Sequence, residues 1–333
     1  MPLQLILAAL ALSLISGIPS LVLPRTSALG QRCSTALMVL ASLLGLAGAA
    51  MALAGSPSAD LGLPWPALGD SLVGLDPLSA FFLLPVFLIG GLGSVYGLGY
   101  WPVYRHRGSG ERLQVFWGLM VAGLALLLVA RQAMAFLLGW EIMALSAFFL
   151  IASEDREAET RRASLVYLMA THVATLALFG LFVLWRHATG SFLLDPVSAD
   201  RLGLGAMSAI FLLALLVFGL KAGMMPLHFW LPLAHAAAPS QVSAILSGVV
   251  LKMGIYGLLR ILSLMPNPPT AWGALILFAG AVSGVVGVAF AIAQHDLKRL
   301  LAYHSVENIG IILMGLGLAM LGRSLERPDW VVL

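Results

Sequence analysis

The sequence predicts an all-α polytopic membrane protein with about ten transmembrane helices, and three observations lead there. Sixty percent of the 333 residues are hydrophobic, 10% are charged and the mean hydropathy is +0.99, far from the balance of a soluble domain. Apolar runs of roughly 20 residues, enough to cross a hydrocarbon core of about 30 Å as helix, recur along the chain. They are continuously apolar and lack the alternating pattern of barrel strands. The runs fall near 3–23, 35–54, 77–99, 112–130, 132–152, 163–185, 206–235, 242–262, 270–293 and 300–321.

Taken in order, the first run begins MPLQLILAALALSLIS. It has no basic residue ahead of its apolar stretch and exceeds an ordinary signal-peptide core, so it is expected to be a helix. Just before the second run stands Cys33, the single cysteine. One cysteine excludes an internal disulfide and any cysteine-ligated iron–sulfur or zinc site within this chain. The third and fourth runs complete the part of the chain that precedes the first buried charge.

That charge is Glu141, in FLLGWEIMALSAFFL, about ten residues from either end of the fifth run. An ionised group at the bilayer centre costs at least a few kcal/mol, so it needs a partner, a wet cavity or a changed protonation state. Glu141 is therefore either an acid that traps and releases a proton or half of a structural ion pair. SEDREAETRRAS, between the fifth and sixth runs, is mixed in sign and is expected to be a solvated turn. The sixth run carries His172, a weaker relay candidate.

FGLKAGMMPLHFWLPLAHAAAPSQ, from Phe218 in the seventh run to Gln241 just before the eighth, puts a lysine, two histidines and three prolines into an otherwise apolar stretch. Lys221 is the natural partner of Glu141, since burial disfavours its charged form and makes proton exchange accessible. Pro226 removes a backbone donor and clashes with the preceding turn, so the helix is expected to be discontinuous beside Lys221. His228 and His235 are seven residues apart with Pro232 between them. Their ordinary pKa near 6.5 suits proton relay, although a structural or capping role for His235 is equally consistent. No metal-binding pattern accompanies them.

The eighth run places Lys252 at its middle, so that two successive runs carry a mid-span lysine. After the ninth run, DLKR reads as a solvated helix start, with Asp296 able to cap and Lys298 and Arg299 assigned to the surface. In the tenth run His304 and Glu307 are three apart and share a helix face, either as relay members or as a hydrogen-bonded pair. Sorting the loop cations by side puts Arg25, Arg32, Arg105, Arg107, Arg112, Arg156, Arg161, Arg162, Lys298 and Arg299 together. Arg131, Arg186, Arg201, Arg260, Arg323 and Arg327 fall opposite. That bias predicts an N-terminus outside. No P-loop, dinucleotide fingerprint or nucleophile elbow is present, which disfavours an ATP-driven pump.

FGLKAGMMPLHFWLPLAHAAAPSQVSAILSGVVLKMGIYGLLR, GWEIMALSAFFL and DLKRLLAYHSVENIGIIL together resemble the antiporter-like subunits of respiratory complex I, Mrp-type cation/proton antiporters and membrane-bound nickel–iron hydrogenases. YHSVENIG and APSQVSAILSGVVLKMGIYGLLRI are most similar to the hydrogenase-4 and formate hydrogenlyase membrane subunits. The resemblance covers about residues 76–321. It implies an antiporter-like fold built on inverted five-helix repeats. Residues 1–110 would form three N-terminal helices, 111–262 the first proton-channel repeat, and 263–333 the start of a second, truncated repeat. It also implies that Glu141 pairs with Lys221 in a half-channel and that Lys252 links onward.

The function so implied is proton translocation coupled to redox chemistry in partner subunits, with no redox catalytic site in this chain. Iron–sulfur clusters and a nickel–iron centre are expected in those partners. The partners themselves would be other membrane subunits and a peripheral hydrogenase or dehydrogenase arm, with no nucleic acid, in a bacterial-type inner membrane. The alternatives are an Mrp-like secondary antiporter and a membrane anchor that does not transport.

Overall fold

The computed structural model describes residues 1–23, 28–56, 60–63, 71–106, 109–198, 203–266 and 268–331. Three cations used to orient the chain, Arg25, Arg107 and Arg201, lie outside the described residues. Among the described residues ten helical spans are long and apolar enough to cross a membrane, and they group into two compact units.

The first unit comprises residues 1–168 and 237–249. It starts with α1 (Pro2–Ile15) and α2 (Ile18–Val22), which together make one span, followed by α3 (Leu29–Leu53). A short antiparallel hairpin of β1 (Leu61–Leu63) and β2 (Ser71–Val73) leads to α4 (Pro77–Tyr100), α5 (Ser109–Val129) and α6 (Ala133–Ile151). Asp76 caps α4, its carboxylate accepting from the Ser79 N–H at 2.8 Å, and Pro77 occupies the first helical position, where no backbone donor is needed.

Buried backbone groups at the far end of α4 are satisfied by one side chain. Gln31, 3% exposed on α3, donates its amide to the carbonyls of Gly97 (3.2 Å) and Trp101 (3.1 Å). Its oxygen accepts from the Val103 N–H at 3.1 Å. Where no water reaches, such pairing is obligatory.

The second unit comprises residues 169–236 and 250–333. It takes most of α7 (Ala158–Thr189), all of α8 (Leu204–Ala222) and nearly all of α9 (Leu231–Ala237). After α10 (Ser240–Ile245) and a single π turn, Leu246–Val250, it resumes with α11 (Leu251–Leu264). The hairpin of α12 (Thr270–Ile292) and α13 (Leu297–Ser324) follows, and α14 (Pro328–Val331) ends the described chain.

Small residues set the spacing of the α12–α13 hairpin. A Cβ at Gly310 would collide with the backbone of Gly280 and Gly284. In lipid, where apolar burial between helices gains little, this close backbone approach is what holds two helices together.

Several boundaries differ from the sequence expectation. The second half of SEDREAETRRAS is helical, because α7 begins at Ala158 and its charged first turns continue past the apolar run. Arg131 and Arg260, sorted as loop cations, are 9% and 7% exposed. Arg131 pairs with Asp76 at 3.3 Å, and Arg260 lies inside α11. Lys298, assigned to the surface, donates to the carbonyl of Ala236 at 3.4 Å. Asp296 does cap α13, accepting from the Arg299 N–H at 2.8 Å.

Candidate functional site

The opening of the site is the end of α8. Gly223 has φ +74°, the left-handed conformation that a side chain strains and glycine adopts freely. The Met224 N–H bonds the Gly219 carbonyl at 2.9 Å and the Gly223 N–H bonds Leu220 at 3.3 Å, the paired bonds of a glycine-terminated helix. The Trp230 indole donates to the Leu220 carbonyl at 2.9 Å and closes the last turn. The helix therefore stops at Ala222, four residues before Pro226, and the chain runs through turns until α9 starts at Leu231. Pro232, between His228 and His235, does not interrupt a helix. It is the second residue of α9, a position that tolerates a missing donor.

Lys221 consequently stands in the last turn of α8 and not at the middle of a continuous helix. It is 2% exposed. A cation at a helix C-terminus meets the negative end of the helix dipole, which offsets part of the cost of its burial.

α11 packs directly on this end. A Cβ placed on Gly254 would lie 2.5 Å from the Phe218 carbonyl oxygen and 2.7 Å from the Ala222 nitrogen. The two backbones thus touch one residue beyond Lys221 and two residues beyond Lys252. Gly254 also lies near the middle of the 25-residue span Ser240–Leu264, which puts the end of α8, and Lys221 with it, at mid-span depth. Lys252 itself follows the π turn, a wide turn frequent at functional sites.

The segment between α8 and α9 leans on the α12–α13 hairpin. The Met225 N–H donates to the Ser283 hydroxyl at 3.0 Å. The His228 ring lies 6.2 Å from Phe290 and 6.0 Å from Tyr303. His235, 1% exposed on α9, sits in the field of both Lys252 and Lys298. Lys252, His235 and Lys298 thus form an electrostatically linked group leading to the start of α13.

The other candidates sit differently. His304 and Glu307 pair at 2.6 Å, Nδ1 to Oε2, on a partly exposed stretch of α13. His172 is on the exposed face of α7. Glu141 is half-buried on α6, next to the fully buried Trp140, and belongs to the first unit, whereas Lys221, Lys252 and the five other candidates belong to the second. Among the described residues no three His, Cys, Asp or Glu side chains gather closely enough to hold a metal ion.

Sequence reasoning missed Tyr256 and Arg260. Arg260 donates to the buried Tyr256 hydroxyl from Nη2 at 3.1 Å. The available signal was spacing, since Tyr256 follows Lys252 by four residues and Arg260 follows Tyr256 by four.

The chain is similar to known proteins. The chain is 42% identical over 265 residues to "Hydrogenase-4 component B" of Escherichia coli K12, covering 78% of this chain and 39% of that protein. It is 35% identical over 262 residues to "Formate hydrogenlyase subunit 3" of the same organism, covering 78% and 41%. The chain therefore spans about two fifths of the length of these relatives. The structure of the membrane-bound sulfane sulfur reductase, an archaeal respiratory membrane complex, superposes with a TM-score of 0.80 at 24% identity, over 98% of this chain and 55% of that one, which shows an antiporter-like fold. Residues 130–324 match the family described as NADH:quinone oxidoreductase/Mrp antiporter, TM. By that match, which takes in the end of α8, the π turn and α11, the chain belongs to the NADH:quinone oxidoreductase/Mrp antiporter transmembrane family.

Proposed function

We propose that this chain is a proton-translocating subunit of a hydrogenase-4, formate hydrogenlyase or complex I-like oxidoreductase complex. The observation that supports it best is the direct contact of α8 and α11 at Gly254, which holds the turns bearing Lys221 and Lys252 together at mid-span depth. Lys221 is buried and Lys252 half-buried, and two amines so placed can pass a proton through intervening water.

In this reading, redox chemistry in partner subunits, which would hold the iron–sulfur clusters and nickel–iron centre, changes the charge state of Glu141 and Lys221. The proton moves on to Lys252, with His235 and Lys298 supplying its exchange with the side where α13 begins. His228, His172 and the His304–Glu307 pair are further relay candidates. The partners are other membrane subunits and a peripheral hydrogenase or dehydrogenase arm, and the chain sits in a bacterial-type inner membrane with its N-terminus outside.

The test is Lys221→Ala in the assembled complex, with proton uptake and redox turnover measured on the same membrane vesicles. Coupled proton movement is expected to vanish while hydrogen or quinone turnover stays measurable. Unchanged pumping in that variant removes the reading.

A further inference from the structure

Were α8 to continue past Ala222, the Met224 N–H would donate to the Leu220 carbonyl and the Met225 N–H to the Lys221 carbonyl. Side chains take over at both rungs. Leu220 accepts from the Trp230 indole at 2.9 Å, while the Met224 N–H goes back to Gly219 at 2.9 Å. The Met225 N–H leaves the helix altogether and donates to the Ser283 hydroxyl on α12 at 3.0 Å.

Ser283 is built for that acceptor role. It is fully buried, and its own proton goes to the Ala279 carbonyl at 2.8 Å, so its oxygen faces the amide with lone pairs. Its place is fixed by α13 on both sides. A Cβ on Gly280 would lie 2.7 Å from the Met314 nitrogen, and one on Gly287 would lie 3.0 Å from the Glu307 nitrogen. Two helices in such close backbone contact leave the hydroxyl little freedom to withdraw.

Closing the rung from Met225 to Lys221 needs helical dihedrals only at Ala222, Gly223 and Met224, all ahead of Pro226. Ala222 is already helical, and Gly223, now at φ +74°, passes to the helical region at little cost. The partner of the Met225 amide therefore decides where α8 ends. With Ser283 as partner, α8 ends at Ala222 and Lys221 stands in its last turn, at the negative end of the helix dipole. Without that hydroxyl the amide is stranded at membrane depth, and winding onto the Lys221 carbonyl satisfies it. Lys221 then becomes an interior residue of a longer helix.

We propose that Ser283 is a positioning residue for Lys221, holding the Met225 amide off α8 so that the helix ends one residue after the lysine. The role rests on the proton-carrying reading of Lys221, and the experiment separates the two.

Proton uptake per redox turnover is measured on vesicles holding the assembled complex, at matched chain levels. Ser283→Ala is expected to lower it at least about tenfold with turnover retained, since small displacements of a transfer group are costly. Ser283→Thr keeps the hydroxyl and is expected to keep most of the uptake. Gly223→Ala strains the left-handed residue and drives the same winding, so the Ser283→Ala/Gly223→Ala double variant is expected to be no worse than the more severe single variant. Independent damage would instead multiply. Where Ser283→Ala lowers the chain level, Ser283→Thr is compared with Ser283→Val, which has a similar size and no hydroxyl. Wild-type uptake in Ser283→Ala, equal loss with and without the hydroxyl, or multiplying losses each overturn the role while Lys221→Ala still abolishes pumping. Wild-type pumping by Lys221→Ala removes the transport reading, and this role with it.

Discussion

Replacing Gly254 by alanine tests whether backbone contact between α8 and α11 governs proton transfer. The added methyl would sit 2.5 Å from the Phe218 carbonyl oxygen and 2.7 Å from the Ala222 nitrogen, against about 3.4 Å for ordinary contact. Both neighbours are backbone atoms of α8, so no side chain can rotate away. The helices must separate by about 0.9 Å, from 2.5 to 3.4 Å. Overpacking of this size costs about 1–3 kcal/mol, which a ten-span bundle tolerates. Transfer is more sensitive than stability, because a displacement of about 1 Å between reacting groups lowers rates by about 10²-fold.

The assay is redox-driven fluorescence quenching of a pH probe in membrane vesicles, normalised to redox turnover and chain level. Gly254→Ala is expected to pump about ten to a hundred times more slowly than wild type. Gly315→Ala is the control, since a Cβ at Gly315 meets nothing within 4 Å. Wild-type pumping by Gly254→Ala at wild-type abundance would show that the contact does not set the transfer geometry.

Two further predictions concern the frame that holds the site. Gln31→Leu strands the buried Val103 N–H and removes the Gln31 donor from the carbonyls of Trp101 and Gly97, the latter keeping the Trp101 N–H. Each unsatisfied buried group costs about 1–3 kcal/mol, so the midpoint of thermal unfolding in detergent is expected to fall, while Gln31→Glu, which keeps the acceptor, falls less. Gly310→Leu drives a side chain into the backbone of Gly280 and Gly284. Crosslinking between cysteines placed on α12 and α13 is expected to fall several-fold, and wild-type crosslinking yields would contradict the packing.

Much of the fold was legible because lipid imposes a simple rule, that a spanning segment is a long apolar helix. The ten runs and the ten spans coincide in number and nearly in place. Ends were less legible, since α7 carries charges on helical turns where the bilayer stops, and composition cannot distinguish those from loop. The break beside Lys221 was anticipated from Pro226, but Gly223 makes it, because a left-handed residue ends a helix whatever follows. The π turn left no trace in the periodicity of apolar residues, since all five of its residues fit an apolar run. Arg260 looked like a loop cation from its place near the end of a run. It is buried and donates to Tyr256 one turn earlier, a relation that hydropathy averages away.

The boundaries of the two compact units have a practical consequence for anyone dividing the gene. They fall between residues 168 and 169, 236 and 237, and 249 and 250, and each cut lies inside a helical segment: α7, α9 and the π turn. No single split site separates the units. Any of the three would leave a severed helix end with unpaired amides and carbonyls in lipid, at several kcal/mol per group. Split-protein and truncation experiments on this chain are therefore better cut in connections between spans, such as the one before Thr270, than at the edges of its compact halves.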